Sequence, residues 1–171
     1  MKIILDARGG DNAPLAPVMG AVQAAKDFGA QIVLVGRGEE ILDVLRQQGI
    51  DNLPDGVEIV HADGVVDVHA DPTTAVRKQK DSSMMVALKM LADGEGDAVI
   101  SAGSTGALLS GATLIVKRVK GIRRAAMGPV MPNKAGSKTV ILDCGANAEC
   151  SPEFLLQFGL IGSLYAKNTQ G

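Results

Sequence analysis

Short apolar runs alternate with stretches whose apolar residues recur every three or four positions, and this alternation holds along most of the chain. Residues 2–6 read as a short buried strand, followed by the polar turn Arg8-Gly9-Gly10-Asp11-Asn12. Pro14 suits the first turn of a helix, and Val18, Ala21, Val22, Ala25 and Phe28 form its apolar stripe. A second strand is predicted over 31–35, a turn at Gly36, a helix over 39–48 and a third strand over 57–60. Residues 62–71 carry no clear period and read as loop. A helical stretch over 73–79 leads to Asp81-Ser82-Ser83, a strong helix start ahead of Met84, Leu88 and Leu91. The pattern then predicts a strand over 97–101, a turn over 102–106, and a helix over 107–119. Last come a strand over 138–143, a turn over 144–151 and a helix over 152–167. Strands alternating with helices predict an α/β protein of three layers, with a mostly parallel sheet covered on both faces. Residues 1–171 read as a single α/β domain.

Composition narrows the function classes. A chain of 171 residues buries roughly 70% of its unfolded surface, enough for a core without disulfide or metal staples. The net charge of −2 argues against a duplex-binding surface. With no Trp, one Tyr and three Phe, the chain also lacks the stacking platforms of single-strand binders, so nucleic acid is not an expected partner. Two cysteines, Cys144 and Cys150, are too few for a disulfide scaffold and point to a reducing cytosol. His61 and His69 lie far from them in sequence, so no metal site is expected, and both read as structural or solvent-facing. The first apolar run ends at Leu5, too short for a signal peptide. Residues 98–116 carry no charge, but their Ser, Thr and Gly content fits a strand, a turn and a core helix better than a membrane span.

The 21 glycines are the compositional outlier, and many fall just after strands. Gly9 and Gly10 follow the first, Gly103 and Gly106 follow the strand ending at Ser101, and Gly145 follows the one ending at Asp143. Glycine by itself makes tight strand-to-helix turns. Three polar, glycine-rich turns on one sheet edge point further, to a ligand site at the carboxyl ends of the strands. A dinucleotide fingerprint fails because Ile41 stands where the third glycine belongs, and a nucleotide triphosphate loop fails because Ala112 replaces the lysine. The turn from Ser101 through Gly103, Ser104 and Thr105 to Gly106 sets backbone donors and hydroxyls at a helix start, which favours an anion; Ser and Thr are also ordinary helix caps. Arg77, Lys78 and Lys80 precede Ser82 and Ser83 at a second helix start, either as anion ligands or as a solvated basic patch. No nucleophile elbow or triad is present in the pattern. Asp6, Asp11 and Asp143, at strand ends or turns, could hold a polar network.

Four segments, DARGGDNAP (6–14), VRKQKDSS (76–83), DAVISAGSTGALL (97–109) and ILDCGANAE (141–149), occur in this order. Together they closely resemble the bacterial PlsX family, the acyl carrier protein:phosphate acyltransferases of fatty acid and phospholipid synthesis. The resemblance implies the fold of phosphotransacetylases and of isocitrate and isopropylmalate dehydrogenases. It implies a homodimer that transfers a long fatty acyl group from acyl carrier protein to inorganic phosphate, without a cofactor. The acyl phosphate would feed a membrane glycerol-3-phosphate acyltransferase, and the enzyme would be cytoplasmic with peripheral contact at the inner face of the plasma membrane. A phosphotransacetylase-like enzyme using acyl-coenzyme A, or a truncated anion-binding domain without turnover, are the alternatives. On the family's motifs, Ser104, Asp11 and Asn147 are the expected catalytic residues. Gly9, Gly10, Arg77, Lys78, Lys80, Ser82, Ser83, Ser101, Gly103, Thr105, Gly106 and Gly145 are expected around phosphate. Family members usually carry Met at the Arg8 position, Asn at Ser104 and Pro at Ala125, and they continue with a second half of comparable size. Residues 1–171 are therefore expected to be the N-terminal part of a longer enzyme.

Overall fold

The computed structural model describes residues 1–170, apart from the side chains of Thr73 and Gln170. The chain divides into two compact units, residues 1–116 and residues 117 onward.

In the first unit, strands β1 (Lys2–Asp6), β2 (Gln31–Gly36), β3 (Val57–His61) and β4 (Ala98–Ile100) form a parallel sheet in the order β3-β2-β1-β4. The connecting helices are α1 (Leu15–Phe28), α2 (Gly38–Gln47), α3 (Pro72–Lys78) and α4 (Ser83–Ala92), and α5 (Thr105–Ile115) follows β4. Side chains alternate across a pleated sheet, so each inner strand supplies two cores. Ile32 and Leu34 pack with Val18, Ala21, Ile41 and Leu45 beneath α1 and α2. Ile4, Val33 and Val35 pack with Ala87 and Met90 of α4 on the other face. A strand buried on both sides must read as a continuous apolar run, and β1 and β2 do. The register sets Leu5 opposite Ile100 and Asp6 opposite Val35. The next residues along β1 and β4, Asp6 and Ser101, thus come level at the carboxyl end of the sheet.

The second unit holds β5 (Val130–Pro132) paired antiparallel with β6 (Lys138–Val140), followed by α6 (Pro152–Gln170). β5 gave no sequence signal: three residues that follow Gly128 and Pro129 and end in Pro132 are punctuated out of any period. The strand expected over 138–143 is shorter than its apolar run and lies outside the parallel sheet. The helix expected to reach residue 119 ends at Ile115, and Lys117 turns into the left-handed region (φ 72°). Val119, which would have extended the stripe, is 78% exposed.

Candidate active site

Asp6 ends β1 on the face that carries Ile4, and its side chain is buried there. A carboxylate in that position has to be hydrogen-bonded. Asp6 Oδ1 accepts from the Ser83 hydroxyl at 2.5 Å and from the Arg8 N–H at 3.2 Å, and Oδ2 accepts from the Ser101 hydroxyl at 2.7 Å. One side chain thereby ties together the end of β1, the first turn of α4 and the loop after β4. The Ser101 oxygen also accepts from the Gly103 N–H at 3.1 Å, which shapes that loop.

The two loops meet backbone to backbone. A Cβ at Gly9 would collide with the Asp6 carboxylate and lie 2.9 Å from Ser101 Oγ, and one at Gly103 would lie 3.3 Å from Gly9 Cα. Gly10 has a φ of 105°, a conformation L side chains rarely adopt, and a Cβ there would press on Ala102. Ser104 caps α5, its oxygen accepting from the Ala107 N–H at 3.4 Å. That uses an acceptor lone pair and leaves the hydroxyl proton free to donate. Ser82 caps α4 in the same way, and its hydroxyl donates to Gln79 O at 2.7 Å.

Beside these loops lies a cavity of about 600 Å³. Its polar end is made by Asp6, Gly9, Gly10, Asp11, Asn12 and Ser101. The rest runs over Ile3, Leu5, Pro17, Ala21, Ile32 and Ile100, an apolar trough beside α1 and over the edge of the sheet. Asp11 and Asn12 are exposed at its mouth. Among the described residues no Lys, Arg or His lines it. Arg8, the nearest in sequence, instead pairs its Nε with Glu40 at 3.1 Å and donates from a terminal nitrogen to Asp63 O at 2.6 Å. It clamps the base of the glycine loop to α2 and to the segment after β3.

Of the residues expected from sequence, the structure gathers Gly9, Gly10, Asp11, Ser83, Ser101 and Gly103 around Asp6 and this cavity. Thr105 and Gly106 begin α5, and a Cβ at Gly106 would lie 2.8 Å from Pro72 Cγ, so its glycine serves helix packing. Arg77 and Lys80 line a different cavity, with Leu114 and Ile115 at the far end of α5, and Lys78 lines neither. Gly145 and Asn147 belong to the second unit. There both hydrogens of the Asn147 amide are engaged, to Ala125 O at 3.0 Å and Asp143 Oδ2 at 2.8 Å, while its oxygen accepts from Arg124 Nε at 2.8 Å. In this arrangement Asn147 holds Asp143 and Arg124 in place and has no amide hydrogen left for a ligand. Partial burial pushes the Asp143 carboxyl up, but N–H donors from Met127, Asn147 and Ala146 and the Asn147 amide outweigh it and hold its pKa below the usual value.

A family model described as "fatty acid synthesis protein" matches residues 1–171. The chain belongs to this family. It is similar to phosphate acyltransferases from Pelotomaculum thermopropionicum (46% identity over all of this chain and 49% of the relative) and Alkaliphilus oremlandii (44%, over 98% and 49%). It also resembles that of Clostridium acetobutylicum (43%, over the whole chain and 51% of the relative). The chain thus spans about half the length of these relatives. The fold is that of a phosphotransacetylase from Streptococcus pyogenes, with a TM-score of 0.73 over 98% of this chain and 54% of that one, at 21% identity.

As a member of the fatty acid synthesis protein family, the chain keeps its polar centre on a residue that sequence reasoning placed only in a possible polar network, Asp6. The signal was present: an aspartate closing an apolar strand buried on both faces has to be paired. Among the described residues no helix is long and apolar enough to cross a membrane, and no group of three or more His, Cys, Asp or Glu is placed to hold a metal.

Proposed function

We propose that this chain is the phosphate- and acyl-binding half of a phosphate acyltransferase that moves a long fatty acyl group from acyl carrier protein to inorganic phosphate, making acyl phosphate for phospholipid synthesis. The observation that carries the reading is the cavity beside Asp6: a polar end framed by glycine loops opens directly into an apolar trough. A thioester seated at the polar end would lay its alkyl chain along Leu5, Ile32 and Ile100. Apolar burial at roughly 25 cal/mol per Å² then rewards long chains over short ones. A phosphate oxygen attacks the thioester carbonyl carbon, the C–S bond breaks, and the carrier thiolate leaves and takes up a proton. Phosphate is itself the nucleophile, so the protein need only position the two groups and stabilise the developing oxyanion. The backbone of the Gly9–Asp11 loop, at the polar end of the cavity, supplies donors for that task, while Ser104 and the start of α5 lie outside its lining. Asp11, exposed at the mouth, takes the role of general base toward phosphate. The two carboxylates here and the absence of a cation among the lining residues leave the phosphate charge to be balanced by residues outside this cavity.

The test is incubation of the chain, alone and fused to the second half of the Clostridium acetobutylicum relative, with long-chain acyl carrier protein and phosphate. The fused chain is expected to release free carrier protein and a hydroxylamine-trappable acyl phosphate, with long-chain acyl-coenzyme A competing poorly. No acyl phosphate from the fusion, under conditions where the intact relative makes it, overturns the proposal.

A further inference from the structure

A second cavity, of about 340 Å³, opens between α3, α4 and α5. Its apolar lining has Val76 and Met85 buried at the floor, Ile115 half-buried and Leu114 exposed beside them, and its rim carries Arg77, Lys80 and Lys89. All three cations are exposed, and among the described residues none of them is in an ion pair; no carboxylate lines the cavity. Arg77 and Lys89 sit in the last turns of α3 and α4, where a cation also offsets the helix dipole. Lys80 lies outside both helices, so the dipole accounts for two of the charges and not for the third. Three exposed cations without an ion pair among the described residues rim this concave apolar surface, a lining that suits an occupant anionic at one end and apolar at the other.

The shape and lining restrict the class further. The volume falls at the lower end of small-molecule pockets and is too small for a docked helix. No aromatic ring, amide or carboxylate is present to stack on or read a base, which argues against a nucleotide. We propose that this cavity is a second ligand site, for a single-chain anionic amphiphile such as a free alkyl phosphate or alkyl carboxylate, with its headgroup between Lys80 and Lys89 and its chain against Met85 and Leu114. It is separate from the site at Asp6: Ile115 stands at the opposite end of α5 from Gly106, about 14 Å away by helical rise. The inference does not depend on the acyltransfer reading, because binding alone defines it.

The methyl resonance of Met85, a buried residue of the floor, gives a direct readout in the 171-residue chain. Titration with decyl phosphate below its micellar concentration is expected to shift that resonance saturably, whereas decyltrimethylammonium at the same concentration leaves it in place. Lys80→Ala with Lys89→Ala should weaken decyl phosphate binding at least tenfold, and Lys80→Arg with Lys89→Arg should retain it. Gly20→Leu, which fills open space in the trough beside α1, should leave the Met85 shift unchanged. The proposal is overturned if the cationic amphiphile shifts Met85 equally or if the double alanine variant binds as well as the parent. It is overturned too if Gly20→Leu abolishes the shift, which would move the ligand to the other cavity. A shift produced by phosphatidylglycerol vesicles and not by monomeric decyl phosphate would replace the free amphiphile by a lipid surface, and would also overturn it.

Discussion

Asp6 is the side chain on which the carboxyl end of the sheet depends. Truncation to alanine would leave the buried Ser83 hydroxyl and the half-buried Ser101 hydroxyl without their acceptor. Stranding buried donors and opening a small void together cost about 3 kcal/mol. Asp6→Asn keeps one acceptor oxygen and should cost less, about 1–2 kcal/mol. Urea denaturation of the two variants checks the order, and equal stabilities would show that the hydroxyls find other acceptors. Gly9 and Gly20 make a second pair. Alanine at Gly9 drives its methyl into the Asp6 carboxylate and Ser101, so it should destabilise by about 2 kcal/mol or more and disrupt the loop contact. Alanine at Gly20 meets nothing within 4 Å in the middle of α1 and should stabilise by about 0.5–1 kcal/mol. Thermal unfolding of both variants would show opposite shifts for the same chemical change.

At the scale of elements, apolar period made β1, β2, α1 and α4 legible because each is buried along a regular face. It missed β5 and overran β6, whose strand it placed but made too long: these two, three residues each and half-exposed, owe their strand conformation to each other rather than to a core. The site was legible where glycine turns follow parallel strands, as at Gly9 and Gly103. It was not legible at Arg77 and Lys80, because proximity in sequence to Ser82 and Ser83 does not say which way α3 directs its last turn. Asp143 shows how a local loop element responds to pH. Its folded pKa lies below the ordinary carboxylate value, so folding holds the proton more weakly than the unfolded chain does. The stabilisation is complete above the ordinary value and is lost as pH falls through the depressed one. Tyr165, the single tyrosine, lies in α6 of the same unit and reports on it. Near-ultraviolet circular dichroism should show the second unit losing stability on acidification, with a flatter acid limb in Asp143→Asn. An identical limb in both proteins would assign the acid response to other carboxylates.

The two units differ in what holds them, and this bears on the molecule as a whole. Among the described residues, all but one of the buried apolar residues lie in the first unit, gathered into clusters on both faces of the parallel sheet. In the second unit Phe158 is the only buried large apolar side chain among the described residues. On α6, by contrast, Leu155, Leu156, Leu160 and Leu164 are each more than half exposed. A unit of this size with one buried anchor and a row of uncovered leucines falls below what a hydrophobic core can sustain by itself. The first unit, with strands buried on both faces, lies above that limit. A chain ending at Val116 is therefore expected to fold cooperatively, with slow amide exchange in β1 and β2, whereas residues 117–171 alone should lack fixed structure or self-associate through the α6 leucines. Amide exchange and sedimentation of the two fragments separate the cases. Cooperative, monomeric folding of the second fragment would show that Phe158 and the Asp143–Asn147–Arg124 network suffice as a core. Failure of the first would show that the parallel sheet draws essential stability from residues after 116.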